Sequence, residues 1–357
     1  MHSFFTRQLL QWHADHPRPL PWTNGLRDPY HIWISEVIMQ QTRIEQGAPY
    51  YHRFISLFPD VESLALASID DVLFAWQGLG YYTRARNLHK AAIYIVDHLN
   101  GSFPESYEDL LALPGIGHYS AAAIASFAYG LPYPVVDGNV KRLLARFDGI
   151  QEAIDLPATH ELIRQHAAVY MKGESPAVFN QAIMNFGALV CKPKKPACAV
   201  CPLHKKCFAY NSNLVATLPA KSKSKTNRSR YFHFLVIHHR HTILFERRDQ
   251  KDIWIGLFIL PYLESNSERK PTLKYFSEKL MAEIGHQNFQ FDHSSPTSTQ
   301  VLSHQTIIAR FHHFTILSKP KRASKNQYWA TRSTIETLAK PKIMVDWLKQ
   351  DAFSLPG

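Results

Sequence analysis

Apolar residues recur at intervals of three and four along the first 218 positions. In FFTRQLLQW, YHIWISEVIMQQTR, IDDVLFAWQ, LHKAAIYIVDHL, YSAAAIASFAYG and DGNVKRLLARF this spacing predicts helices, punctuated by Pro59, Gly78, Gly80, Gly101, Pro104, Pro114 and Gly115. The pattern breaks at Leu218–Arg230, LPAKSKSKTNRSR, which has no apolar residue between Ala220 and Tyr231 and reads as an exposed basic linker. Beyond it, YFHFLVIH, TILFERR and TIIARFHHFTIL are β-branched and aromatic runs that predict strands. LKYFSEKLMAEIG and IMVDWLKQ return to the helical period. The reading is multidomain: all-α over 1–218, a linker over 219–230, and α+β over 231–350.

Composition adds a direction. The 357 residues carry 40 Lys plus Arg against 29 Asp plus Glu, a formal charge of +11, which favours a polyanionic partner. With 45% hydrophobic residues the chain has ample material for cores, so wholesale disorder is excluded. No run approaches the roughly 18 apolar residues of a membrane span, and MHSFFTRQLLQWHADH lacks the apolar block of a signal peptide. A cytoplasmic, DNA-associated protein with no membrane partner is expected.

The four cysteines, Cys191, Cys198, Cys201 and Cys207, are spaced C-x6-C-x2-C-x5-C. That is too clustered for a disulfide framework spread over a chain and points to a metal. Structural zinc usually comes from two short C-x2-4-C knuckles; a single x2 pair with longer arms tilts towards a [4Fe-4S] cluster, with zinc kept open. Lys192, Lys194, Lys195, Lys205 and Lys206 decorate the same loops. They form either a solvated surface or a phosphate-facing one.

In LPGIGHYSAAAIASFA, Gly115 and Gly117 stand between a helix end and an Ala-rich helix. Two such glycines allow a sharp turn that exposes N–H groups at a helix N-terminus, where a DNA phosphate is held without base preference. An ordinary interhelical turn carries the same pair, but the small-residue helix that follows favours a helix-hairpin-helix at about 108–128.

DPYHIWISEVIMQQTR, GLGYYTRARNLHKAA, LPGIGHYSAAAIAS, VVDGNVKRLLAR and the cysteine array occur in one order. Together they resemble adenine DNA glycosylases of the MutY type, within the helix-hairpin-helix, iron-sulfur glycosylase superfamily, over nearly all of 1–218. The resemblance implies removal of adenine mispaired with 8-oxoguanine or guanine in double-stranded DNA, one [4Fe-4S] cluster at 191–207, a monomer, and a C-terminal Nudix-like domain that recognises 8-oxoguanine.

Cleaving the bond between adenine and its sugar needs an acid for the leaving base and a negative charge beside the cationic sugar. Glu36 lies in a helix apolar on almost every side. Burial there would raise its pKa as a general acid requires, although an outward or Arg-paired Glu fits the same pattern. Asp137 reads as the N-cap of the helix that follows, where cap hydrogen bonds would lower its pKa and keep it ionised. By resemblance Glu36 transfers the proton to adenine N7 and then activates water, Asp137 steadies the sugar cation, and Asn139 orients the site. Tyr119 aligns where endonuclease III-like enzymes carry the Lys that forms a Schiff base, which implies a monofunctional glycosylase. Lys141 is expected on a phosphate.

The base must leave the stack first, and Gln40, Gln41 and Tyr82 are the candidates to fill the gap, intercalation falling by resemblance to Gln41 and Tyr82. The family pattern points to Arg18, Trp22 and Gln181 for the adenine pocket. In the C-terminal half the working motif of a Nudix hydrolase is degraded: Glu283 alone falls on a carboxylate position, with Glu264 and Lys270 in the upstream Gly and Glu slots, so nucleotide hydrolysis is not expected. Ser303 and His304 match the Phe-Ser-His loop that reads 8-oxoguanine; Leu302 departs from it. Two other readings remain for the whole chain. One is an endonuclease III-like glycosylase and lyase, disfavoured by Tyr119; the other is a silent iron-sulfur DNA-damage binder, disfavoured by the presence of both Glu36 and Asp137.

Overall fold

The computed structural model describes residues 3–18, 27–40, 42–222, 227–249, 252–269, 271–285, 289–318 and 326–350. The chain divides into two compact units, Met1–Leu66 with Asn87–Ser224, and Ala67–Arg86 with Lys225–Gly357. This differs from the expected division, because residues 67–86 leave the N-terminal block and group with the C-terminal half.

The described regular elements from Ser3 to Ser222 are all helical. They are α1 (Phe4–Asp15), α2 (Pro29–Met39), α3 (Ile44–Leu57), α4 (Val61–Leu66), α5 (Ile69–Ala75), α6 (Thr83–Leu99), α7 (Tyr107–Ala112), α8 (His118–Phe127), α9 (Gly138–Asp148), α10 (Pro157–Met171), α11 (Pro176–Leu189) and α12 (Phe208–Asn211). Polar caps set the ends that matter most. Asp28 accepts from the Tyr30 amide with Pro29 at the first position of α2. Asp137 accepts from the Asn139 and Val140 amides, and Gly149, at φ 76°, closes α9. Leu9, Leu144, Ile163, Phe179 and Phe186 pack into the core shared by α1, α9, α10 and α11. Helix α8 buries Ser120 to Ser126, and its small side chains let α2 and α11 approach closely.

The α7–α8 connection is the expected hairpin. Gly115 has φ 76°, and a Cβ there would fall 2.4 Å from Asn87 Cβ, so both backbone angle and space demand glycine. Gly117 caps α8 without a side-chain hydrogen bond, which leaves the first amides of the helix to another acceptor.

The second unit is built on one mixed sheet, in the order β3 (Phe258–Ile259), β2 (Thr242–Arg247), β1 (Arg228–His239), β7 (Gln305–Ile316), β5 (Phe289–Ser294). Strands β4 (Tyr262–Ser265), β6 (Ser298–Val301) and β8 (Gln327–Ala330) pair with β1, β7 and β2 respectively. Strands β1 and β7 run parallel over eleven paired positions, Arg228 opposite Gln305 to His238 opposite Thr315. Helices α13 (Leu273–Ile284), α14 (Arg332–Thr337) and α15 (Lys342–Gln350) complete it. Leu235, Ile237, Phe314 and Ile316 pack on Phe276 and Leu280 of α13. Trp347 of α15 stacks on Phe311 at 4.9 Å. Among the described residues no helix is long and apolar enough to cross a membrane.

Residues 67–86 are tied into this unit through several groups. Asp70 accepts from Arg247 at 2.7 Å, Gln77 Oε1 from the Lys340 amide at 2.9 Å, and the Tyr82 hydroxyl donates to the Lys340 carbonyl at 3.0 Å. Arg86 donates to the Ile255 carbonyl at 2.7 Å.

Candidate active site

Three of the expected site residues, Glu36, Tyr119 and Asp137, meet where α2, α8 and the start of α9 converge in the first unit. Glu36, 7% exposed, projects from the apolar α2, and the Tyr119 hydroxyl, from the first turn of α8, donates to Glu36 Oε2 at 2.6 Å. Burial, and secondarily the charge of Asp137, push the Glu36 carboxyl up to about 7, against the pull of the Tyr119 hydrogen bond. The buried-acid alternative raised by the sequence is therefore the one observed.

Asp137 accepts from the Asn139 amide at 2.8 Å, the Val140 amide at 2.7 Å and Asn139 Nδ2 at 2.7 Å. The expectation of a net lowered pKa is corrected: burial outweighs these donors and raises it. The donors still decide which of the pair carries the anion, since Asp137 has three hydrogen bonds to its carboxylate and Glu36 has the one from Tyr119. Burial likewise raises Tyr119 well above its ordinary value, followed by the neighbouring Glu36 and Asp137 charges. Its hydroxyl stays protonated as a donor.

Asn139 is itself held. Its Oδ1 accepts from Arg142 Nη2 at 2.8 Å, and the same guanidinium donates to the carbonyls of Gly187 at 2.7 Å and Cys191 at 2.7 Å. A Cβ on Gly187 would lie 2.8 Å from the Asn139 carbonyl oxygen and Cβ, so α11 can approach the α9 cap only because 187 is glycine. The sequence reading singled out neither Arg142 nor Gly187. Both lie in otherwise ordinary helical patterns, and their roles depend on partners about 45 residues away along the chain.

The other expected residues are placed as follows. Gln40 is exposed at the end of α2, with its amide 3.3 Å from the Ser120 hydroxyl. Arg18 pairs with Glu45 at 3.4 Å, and Gln181 is half-buried on α11. Lys141 is half-buried on α9, and burial lowers its pKa. Trp22, Gln41 and Lys270 lie outside the described residues. Tyr82 is 8% exposed with its hydroxyl bonded inside the second unit, whereas Tyr81 is 49% exposed at φ 49° and its hydroxyl meets the Ser303 hydroxyl. Ser303 and His304 are exposed in the β6–β7 turn, which the Leu302 amide closes on the Gln305 carbonyl at 2.8 Å.

The four thiols line one cavity with Leu143, Arg146, Phe147 and Leu203. Burial pushes Cys201 up to about 11 and raises Cys198 and Cys207, and the neighbouring Cys191 adds to each. Arg146 Nη1 stands 3.5 Å from Cys191 Sγ. Such crowding of acidic groups suits a cationic occupant. Among the described residues no three His, Cys, Asp or Glu are disposed around a single metal ion.

Residues 34–170 match the HhH-GPD superfamily of base excision DNA repair proteins, and 232–350 match a Nudix domain. The adenine DNA glycosylase of Buchnera aphidicola subsp. Schizaphis graminum is 36% identical over 271 residues, covering 76% of this chain and 78% of that one. The chain belongs to the adenine DNA glycosylase family. It is thus a hydrolase of the DNA N-glycosylase class that binds DNA. Solved structures agree on the architecture of the first unit. A thermostable thymine-DNA glycosylase superposes with a TM-score of 0.54 at 27% identity, covering 58% of this chain and 95% of its own. An endonuclease III in a non-covalent DNA complex superposes at 0.52 and 21% identity, covering 60% and 99%, and shares the fold.

Proposed function

We propose that this adenine DNA glycosylase removes adenine paired with 8-oxoguanine or guanine, as a monomer and without lyase chemistry. The observation that carries the reading is the buried Glu36, near neutrality in pKa and bonded to a tyrosine in place of an amine. In this mechanism the protonated Glu36 carboxyl gives its proton to N7 of the flipped adenine as the N-glycosidic bond breaks, and the bonding electrons leave with the base. Asp137, held anionic by its cap donors, balances the charge left on the sugar. The Glu36 carboxylate then takes a proton from the water that adds to the sugar carbon, which restores the acid. Tyr119 cannot form a Schiff base, so the strand is left uncut.

Arg18, Trp22 and Gln181 are assigned to the adenine pocket, and Gly115, Gly117 and Lys141 to phosphates. Gln40, Gln41 and Tyr82 are assigned to the gap beside the lesion, with the exposed Tyr81 next to Tyr82; Ser303 and His304 are assigned to 8-oxoguanine. Cys191, Cys198, Cys201 and Cys207 would hold a [4Fe-4S] cluster. Bound there, the cluster supplies a rigid template for the 191–207 loop.

The test is a labelled duplex with adenine opposite 8-oxoguanine, incubated with the protein and run with and without hot alkali. Cleavage only after alkali, lost in Glu36→Gln, is expected. Cleavage without alkali would establish a lyase; none in either lane would establish a binder.

A further inference from the structure

The segment that joins α8 to α9 is short and stiff. It runs through Leu131, Pro132, Tyr133, Pro134, Val135 and Val136 into Asp137. Its two prolines fix φ at alternate positions and disfavour helical backbone at Leu131 and Tyr133, which precede them. Pro134, Val135 and Val136 are buried, with Val135 packed against Ala122 and Ala123 of α8. A displacement in so stiff an arm is passed to the residue at its end, which is Asp137.

Asn180 of α11, 0% exposed, grips the middle of this arm. Its Nδ2 donates to the Tyr133 carbonyl at 2.9 Å, and its Oδ1 accepts from the Val135 amide at 2.9 Å. These backbone groups flank Pro134, and the side-chain amide serves them as the peptide of a parallel neighbouring strand would. The other Nδ2 hydrogen goes to the Ser126 hydroxyl of α8 at 3.0 Å. Turning the amide over would set nitrogen against the Val135 N–H and oxygen against the Tyr133 carbonyl, so its orientation is fixed. A carboxylate lacks the donors and an aliphatic side chain lacks all three groups. Only an amide of this length meets the set.

One side chain thus ties the arm to two helices that matter at the site. Helix α8 carries Tyr119, the donor to Glu36, in its first turn. Helix α11 carries Gly187, which abuts Asn139, two turns beyond Asn180 and on the same face. The chain is therefore held at 133–135 before Asp137 and at 139 after it.

We propose that Asn180 is a positioning residue for adenine excision: through the backbone of residues 133–135 it holds the Asp137 carboxylate in place beside Glu36. The inference rests on the roles proposed above for Asp137 and Glu36. Asn180 acts through the arm and not on the substrate. Released from it, the arm parts from Ser126 and α8, and Asp137 retreats from Glu36 with it.

Single-turnover excision of adenine opposite 8-oxoguanine, measured beside duplex affinity in the full chain, tests this. Asn180→Leu keeps the branched outline and lacks all three bonds; its rate should fall about tenfold or more while duplex Kd changes little. Thr6→Val is the control for lost packing and hydrogen bonding alone, because Thr6 is 2% exposed and donates to the Tyr170 carbonyl at 2.7 Å. Its rate should be unchanged. The pH profile supplies a readout that lost stability would not move. Burial first and the Asp137 charge second raise the Glu36 carboxyl to about 7, so retreat of Asp137 should shift the break in the profile downward in Asn180→Leu. An unchanged rate in that variant, an equal loss in Thr6→Val, or a lost rate with the break unmoved overturns the proposal. Should Asn180→Leu fail to fold, Asn180→Ser, which leaves room for a water beside the stranded backbone groups, is judged by the same criteria. Asp137→Asn keeps the two readings apart. Full excision by Asp137→Asn would refute the role of Asp137 itself, whereas an inactive Asp137→Asn beside a fully active Asn180→Leu would refute the role of Asn180 alone.

Discussion

The Tyr119 hydroxyl donates to Glu36 Oε2 at 2.6 Å, on a carboxyl that burial has carried up to about 7. The hydrogen bond favours the anion while burial and Asp137 oppose it, so the group is poised between its two states near neutral pH. Single-turnover excision should be level below about pH 7 and fall about tenfold per pH unit above it. Because the hydroxyl stabilises the charged form, Tyr119→Phe should move the break upward. A downward move would contradict this account.

The same carboxyl should cost stability. Its folded pKa lies above its ordinary 4.5, so the folded state binds the extra proton and loses that advantage as pH rises through about 7. A shift of this size corresponds to about 3 kcal/mol at pH 8. Glu36→Gln should abolish excision yet raise Tm at pH 8, with little change at pH 5. Thermal melts at the two pH values check the sign.

Gly187→Ala should harm catalysis without touching a substrate group. The added methyl meets the Asn139 backbone at 2.8 Å, forcing α11 from the α9 cap, at about 1–3 kcal/mol. With Asn139 displaced, Asp137 loses one of its donors, so kcat should fall more than DNA affinity does. A fall in DNA affinity with kcat intact would show that the glycine serves packing alone.

Neighbouring tyrosines should behave oppositely. Tyr82→Phe strands the buried Lys340 carbonyl and should destabilise the chain by about 1–2 kcal/mol. Tyr81→Phe should leave the melting curve unchanged while reducing the preference for 8-oxoguanine over guanine. Denaturant curves beside competition assays separate the two effects.

For the cysteines, Cys198→Ser should remove visible absorbance and loosen the 191–207 loop to protease. A colourless native protein with stoichiometric zinc would replace the cluster by a metal ion.

Much of this was legible in the sequence where the signal is local. The alternation of apolar residues located α1, α2, α8 and α9, and β1, β2 and β7, because each element buries a continuous face of its own. Short strands such as β3, with two residues, and β4 and β6, with four each, exist by pairing to longer neighbours and carry no period of their own. The same holds at the site. Glu36 and Asp137 stand in recognisable local contexts, whereas Arg142 and Gly187 acquire roles only when α9 and α11 come together. The grouping of residues 67–86 was invisible for that reason, and so was the difference in burial between Tyr81 and Tyr82. Adjacent identical residues differ only in what lies around each ring.

That grouping has a consequence during synthesis. Helix α5 and the turn bearing Tyr81 leave the ribosome on the order of 140 residues before the strands that frame them, an interval of about 10 seconds or more at ordinary elongation rates. Through that interval Leu73, Gln77 and Tyr82 lack their partners on Gly256 and Lys340. A nascent chain of this enzyme therefore completes α8 to α11 while this segment still waits, and a message truncated near codon 224 would yield a protein with that surface left open.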